Sequence, residues 1–169
     1  MRMIAIPAGE FQMGGDENAD EQPVHRVRLG AYDIGKYEVT NKQYLGFCRA
    51  TGRAVPPAPA WGVEDELPVV HVGWVDASTF CEWAGLRLPT EAQWEYAARG
   101  GDASRYPWGN EEPDGGQCNY ADSSLAGAEA GDYIDKNHSD GHDRTSPVGA
   151  YARGASPCGA MDMAGNVWE

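Results

Sequence analysis

Gly159 to Glu169 read GAMDMAGNVWE, and the fold turns on whether this stretch stands alone or closes a series of ordered blocks. Three further blocks lie upstream of it. Ile6 to Gly14 read IPAGEFQMG, Tyr37 to Tyr44 read YEVTNKQY, and Arg87 to Gly100 read RLPTEAQWEYAARG. Together the four blocks span nearly all of the 169 residues, the length of a single domain able to bury a core of its own.

The blocks carry readable local structure. Met3 to Pro7 is apolar, Gly9 to Gly14 alternates, and Val27, Leu29 and Ala31 alternate with Arg28 and Gly30, a pattern that predicts a small sheet. Thr40-Asn41-Lys42-Gln43 is a capping box, and Tyr44, Phe47 and Cys48 then fall on one face of a helix running to about Ala50. Thr51 to Leu67 carries Pro56, Pro57 and Pro59, with Pro68 just beyond, and reads as an extended surface excursion. Val69 to Trp74 reads as a strand. Asp76 opens a second helix with Phe80, Trp83 and Ala84 on one face, and Gly85 stops it. Thr90-Glu91-Ala92-Gln93 is another capping box, opening a helix that turns Trp94, Ala97 and Ala98 inward and ends at Gly100-Gly101. Short capped helices beside antiparallel strands make an α+β domain. Trp74, Trp83 and Trp94, at strand-inward or helical spacing, are expected in the core.

Composition narrows the class. Gly and Pro are abundant, at 22 and 11 residues, yet interleaved with Trp, Tyr, Val and Leu, which fits an ordered, loop-rich fold rather than a low-complexity chain. The net charge of −13 argues against nucleic acid, whose binders cluster Lys and Arg to neutralise phosphates. No stretch is long and apolar enough for a membrane span, and the start MRMIAIPAGE lacks a secretory apolar core, so a cytoplasmic location is expected. Cys48, Cys81, Cys118 and Cys158 are too widely spaced for a zinc ribbon or a redox pair; their even count permits disulfides, but with no signal peptide and with Cys48 and Cys81 on apolar-patterned helices the reading favours buried free thiols.

From Asp102 to Pro157 helical periodicity vanishes into Gly, Asp, Asn and Ser, interspersed with Tyr106, Trp108, Tyr120, Tyr133 and Tyr151. Aromatic residues in so long an irregular stretch argue against simple disorder, and a bound ion would hold such loops in place. The acidic run Gly15 to Glu21, by contrast, reads as a solvated loop.

Taken in order, the four blocks closely resemble the formylglycine-generating enzyme superfamily, also called sulfatase-modifying factor domains. The resemblance implies a low-regularity α+β fold related to C-type lectins, occupying residues 1–169 as one domain. The chain stops inside the family's GNVWE signature, so the resemblance predicts a fold whose C-terminal part lies beyond Glu169. The founding activity is oxidation of a sulfatase cysteine to formylglycine with molecular oxygen. Similar domains occur in sulfoxide synthases, kinase-associated modules and ligand-binding proteins of retroelements, so membership leaves the chemistry open.

The resemblance also implies two calcium sites. The first takes the Asn119 side chain, the Tyr120 carbonyl, the Asp140 side chain and the His142 carbonyl. The second takes the side chains of Asp162 and Glu169 and the carbonyls of Gly165 and Val167. Both are all-oxygen sets of the kind a hard cation selects. Asp162 stands where better-known members carry Asn, adding a negative charge, and His142 replaces an aromatic residue. The copper-binding cysteine pair of the aerobic enzymes lies beyond the position that Glu169 matches, so Cu(I) is expected only in a longer form and no catalytic residue is assigned within the 169. His138 and His142 also leave a zinc or iron reading open beside that of plain loop histidines. Two functions follow: an oxygen-dependent oxidoreductase acting on a sulfatase-like protein or peptide, inactive as these residues alone, or a lectin-like module that binds a ligand without catalysis.

Overall fold

The computed structural model describes residues 1–16, 18–101, 104–125 and 134–169. Glu17 of the acidic run and Tyr133 of the irregular region lie outside the described residues. Strand β1 (Met3–Ile6) pairs antiparallel with β4 (Tyr32–Gly35), and β2 (Gly9–Met13) pairs antiparallel with β3 (His25–Leu29). The expected small sheet is therefore two separate ribbons. Alternation does its work in both: Ile6, Phe11 and Ile34 are buried while Ala5, Glu10, Gln12 and Asp33 face solvent.

Among the described residues the α-helices are α1 (Asn41–Thr51), α2 (Trp74–Trp83) and α3 (Glu91–Arg99). Both capping boxes form. Thr40 and Thr90 accept from the backbone N–H of Gln43 and Gln93, and each glutamine side chain accepts the cap residue's own N–H. Gly52, with φ of 72°, closes α1 in the left-handed conformation that favours glycine. Helix α2 begins at Trp74, two residues before the expected Asp76, because the Asp76 carboxylate reaches back to accept the Gly73 N–H at 3.2 Å.

Among the described residues two apolar clusters form the core. Ile6, Ile34, Ala97, Ala98, Ala160 and Met163 pack β1, β4 and α3 against the C-terminal segment. Tyr44, Phe47, Cys48, Phe80 and Cys81 join α1 to α2 through stacked and edge-on aromatic contacts, with ring centroids 5.3–5.5 Å apart.

Two expectations need correction. Val69 to Trp74 is not a strand: Thr40 and Pro68 form one isolated bridge, Val69 N donates to Val39 O, and His71 then takes φ of 59°, which no strand accommodates. Trp74 and Trp83 are not core residues, since 74% and 49% of their surfaces remain exposed; Trp94 does pack against the first cluster. Elsewhere Thr51 to Glu66 is an exposed or half-buried excursion, and Cys48 and Cys81 are buried free thiols.

Candidate functional site

The irregular region converges on the GAMDMAGNVWE stretch, and Asn166 is the hub. Its φ of 71° turns the chain so that its side chain points inward. Oδ1 accepts from Ser146 N at 2.8 Å and Asn119 Nδ2 at 3.1 Å, while Nδ2 donates to Glu38 Oε2 at 3.1 Å and Ser146 O at 3.3 Å. The Asn166 N–H donates to the Asn119 carbonyl at 2.9 Å. Gly165 must be glycine here, since a Cβ would lie 2.3 Å from that carbonyl oxygen.

The residues expected in the first calcium set do come together. Asp140 Oδ2 accepts the Tyr120 N–H and Oδ1 the His142 N–H, both at 2.8 Å, so one carboxylate fixes two of the segments named from sequence. Asn119 is buried and spends its amide nitrogen on Arg144 O and Asn166 Oδ1. Sequence reading missed Asp122, which is fully buried and accepts from the backbone of Ser124 and Asp140. It lies three residues after Asn119, but nothing in an Asp-rich loop singles it out before folding. His138 is exposed and hydrogen bonded to Asp135 at 2.6 Å, whereas His142 is half-buried with its ring edge-on to Tyr151. These two histidines serve separate contacts.

In the second set, Asp162 is buried with φ of 62° and accepts the Gly149 N–H at 2.6 Å. Glu169 Oε2 accepts from Trp94 Nε1 at 2.5 Å, anchoring the segment to α3. The Gly165 carbonyl accepts the Val167 N–H at 3.0 Å. A third carboxylate, absent from the expected set, stands beside them. Glu38 is only 9% exposed; among the described residues no donor reaches its Oε1, while Asp162 stands within hydrogen-bonding reach of its carboxyl. Burial above all, then the charges of Asp162 and Glu169, push its carboxyl well above the ordinary range. Burial likewise raises the Asp162 carboxyl, and raises Glu169 with help from Asp162. An acid directly ahead of a capping box, inside the YEVTN block, was the available signal.

Among the described residues no three His, Cys, Asp or Glu side chains converge at ligand spacing around one point. Sets built mainly from carbonyls do not require that. The cysteines do not fit a Cu(I) dithiolate. Cys48 and Cys81 lie within the aromatic cluster, burial raises Cys81 and pushes Cys118 up to about 11, and Cys158 donates to the Ala97 carbonyl at 3.1 Å. A copper that activates oxygen beside a peptide needs a close thiolate pair reachable from solvent, which buried thiols do not offer.

Next to this hub lies a groove of about 530 Å³. Trp61, His71, Tyr120, Arg144 and Trp168 line it, with Asn119 and Asn166 in its wall. Trp61 is fixed by Nε1 donating to Thr145 Oγ1 at 3.1 Å, with the Arg144 guanidinium 5.7 Å from its ring centre. Among the described residues no helix is long and apolar enough to cross a membrane.

Comparison with known proteins bears on this arrangement. The family model described as the sulfatase-modifying factor enzyme 1-like domain matches residues 1–169. A formylglycine-generating enzyme from Thermomonospora curvata is 36% identical, the match covering 99% of this chain and 69% of that protein. An inactive C-alpha-formylglycine-generating enzyme 2 from Bos taurus is 33% identical, covering 100% of this chain and 69% of that protein. The solved structure of Treponema denticola variable protein 1 superposes with a TM-score of 0.70 at 23% identity, over 98% of this chain and 70% of that one, and so shares the fold.

Proposed function

The chain belongs to the sulfatase-modifying factor enzyme 1-like family, and from that premise we propose that it serves the oxidation of a cysteine in a sulfatase-like protein to formylglycine. The observation that carries this reading is 36% identity to a formylglycine-generating enzyme across 99% of the chain. The aromatic groove supports it, because Trp61, Tyr120 and Trp168 line a cleft of a size to take an extended peptide. The chain's own part is to bind and orient that peptide against the Asn119–Asn166 wall.

Turnover by these residues alone is not expected, since oxygen activation on copper needs a thiolate pair and the four thiols present are buried or held by a carbonyl. The same observation favours a second reading, in which the lectin-like scaffold binds a ligand in the groove without catalysis.

Calcium is the structural cofactor in either reading. The Asn119, Tyr120, Asp140 and His142 set, and the Asp162, Gly165, Val167 and Glu169 set, would staple loops that bury little apolar surface. The support is that Asp140 already gathers Tyr120 and His142, and that among the described residues no cation is set against the Asp162 or Glu169 carboxyl.

The test is incubation with Cu(I), oxygen and a peptide carrying C-x-P-x-R. Mass spectrometry should find the cysteine sulfur retained, while fluorescence titration finds the peptide bound. Sulfur loss would overturn the argument from the thiols, and no binding would overturn the assignment of the groove.

A further inference from the structure

The polar side chains that line the aromatic groove differ in whether their hydrogen-bonding capacity is already spent. The Tyr120 hydroxyl donates to Asp135 Oδ2 at 2.9 Å and the Trp61 indole N–H to Thr145 Oγ1 at 3.1 Å. The Asn119 amide nitrogen donates to Arg144 O at 2.6 Å and Asn166 Oδ1 at 3.1 Å. These donors serve the fold. His71, which also lines the groove, is exposed, and only one of its ring nitrogens is engaged. Nδ1 lies 2.9 Å from the Pro57 carbonyl oxygen. A carbonyl can only accept, so Nδ1 carries the proton, and in the neutral ring Nε2 is the bare nitrogen, an acceptor. Among the described residues no partner is recorded for Nε2.

Two features hold the ring in this pose. Pro57 follows Pro56 and precedes Ala58-Pro59, so its carbonyl sits on a stretch of chain that proline rings stiffen. His71 itself has φ of 59°, a region that side-chain-bearing residues occupy at a cost and only where their surroundings impose it. Glycine or asparagine takes that φ more readily, so the backbone by itself does not call for an imidazole. The chain beside the ring is open as well. Val70 and Val72 line the same groove, and among the described residues no backbone hydrogen bond is recorded for Val70, His71 or Val72.

We propose that His71 Nε2 accepts a hydrogen bond from the peptide held in the groove, given by a main-chain N–H or by the cysteine thiol. This rests on the peptide reading of the groove above and deepens it by naming the side chain that reads the peptide. His71 acts as a binding residue: the Pro57 carbonyl fixes the tautomer, the fixed tautomer makes Nε2 an acceptor, and the shared proton stays on the peptide. A preset acceptor costs little to engage, because the ring is ordered before the peptide arrives.

The experiment is fluorescence anisotropy of labelled C-x-P-x-R and A-x-P-x-R peptides with the wild-type chain, His71→Asn and Trp61→Ala, joined to nitrogen NMR of the His71 ring. In His71→Asn the amide nitrogen takes the place of Nδ1, keeping the Pro57 bond and tolerating the positive φ, while nothing stands where Nε2 was. The variant should melt near the wild type and bind the cysteine peptide about 3- to 10-fold more weakly. An equal loss with the alanine peptide assigns the donor to the main chain, and a loss confined to the cysteine peptide assigns it to the thiol. Unchanged affinity for both overturns the proposal. In the wild type the Nε2 resonance should shift as peptide is added while Nδ1 keeps its proton. An Nε2 signal that does not move overturns the proposal too, whatever the fate of the variant's folding. If the wild type binds neither peptide, the groove reading itself fails. Binding weakened in Trp61→Ala but untouched in His71→Asn removes His71 alone.

Discussion

Asn166 Nδ2 donates to Glu38 Oε2 at 3.1 Å, joining residues 128 positions apart. The same amide holds Ser146 and Asn119, so one side chain ties the N-terminal half, the irregular region and the terminal stretch together. Asn166→Ala should therefore destabilise by about 2–4 kcal/mol, since it strands several buried groups and places alanine at a positive φ. Urea unfolding of the two proteins measures it, and a loss below about 1 kcal/mol would deny Asn166 this role.

The helix pair depends on Phe47, which is 1% exposed and touches Tyr44, Phe80 and Trp83. Phe47→Ala should cost about 3–5 kcal/mol by lost transfer energy and a cavity between α1 and α2. Phe47→Leu, which keeps most of the volume, should recover more than half of that in the same unfolding assay.

Gly154 is sterically fixed: a Cβ there would lie 1.7 Å from the Gln117 carbonyl oxygen. Backbone cannot give way as a side-chain tip can, so Gly154→Ala should destabilise by more than about 3 kcal/mol. Gly46→Ala, on the helix where nothing lies within 4 Å of the added atom, should raise stability slightly.

Asp114 and Arg153 form a two-point pair at 3.1 and 2.7 Å. The guanidinium first, with backbone and amide donors, holds the Asp114 carboxyl below its ordinary value. A carboxyl depressed in the folded state contributes stability above its unfolded pKa and loses it as pH falls through the folded one. Carbon-detected NMR titration should place the Asp114 midpoint below the ordinary aspartate value, and Arg153→Ala should raise it toward that value.

Trp61→Ala should weaken peptide binding in the groove about tenfold, because it removes the fixed aromatic wall without touching Asn119 or Asn166. Fluorescence anisotropy of a labelled C-x-P-x-R peptide gives the dissociation constants. Unchanged affinity would move the peptide elsewhere on the surface.

The sequence by itself determined the family, through four ordered blocks, and the elements whose signals are local. Thr40 with Gln43 and Thr90 with Gln93 announced two helices because a capping box is complete within four residues. Ala97 and Ala98 were placed in the core by helical spacing, and the thiols of Cys48 and Cys81 by theirs. Tertiary structure alone decided the rest. Val69 to Val72 has the composition of a strand, but among the described residues only Val69 finds a backbone partner, in Val39, before His71 turns the chain away. Trp74 and Trp83 remain exposed although their type favours burial, because each side of α2 can be covered only by what the fold brings to it. Glu38 shows the difference most sharply. In the sequence it is only an acid ahead of a capping box; its raised carboxyl comes first from burial and then from Asp162 and Glu169, which only the folded chain brings beside it. Local hydrogen-bonding patterns are written in adjacent residues, whereas the desolvation and charge that give a carboxylate its function are properties of a place in space.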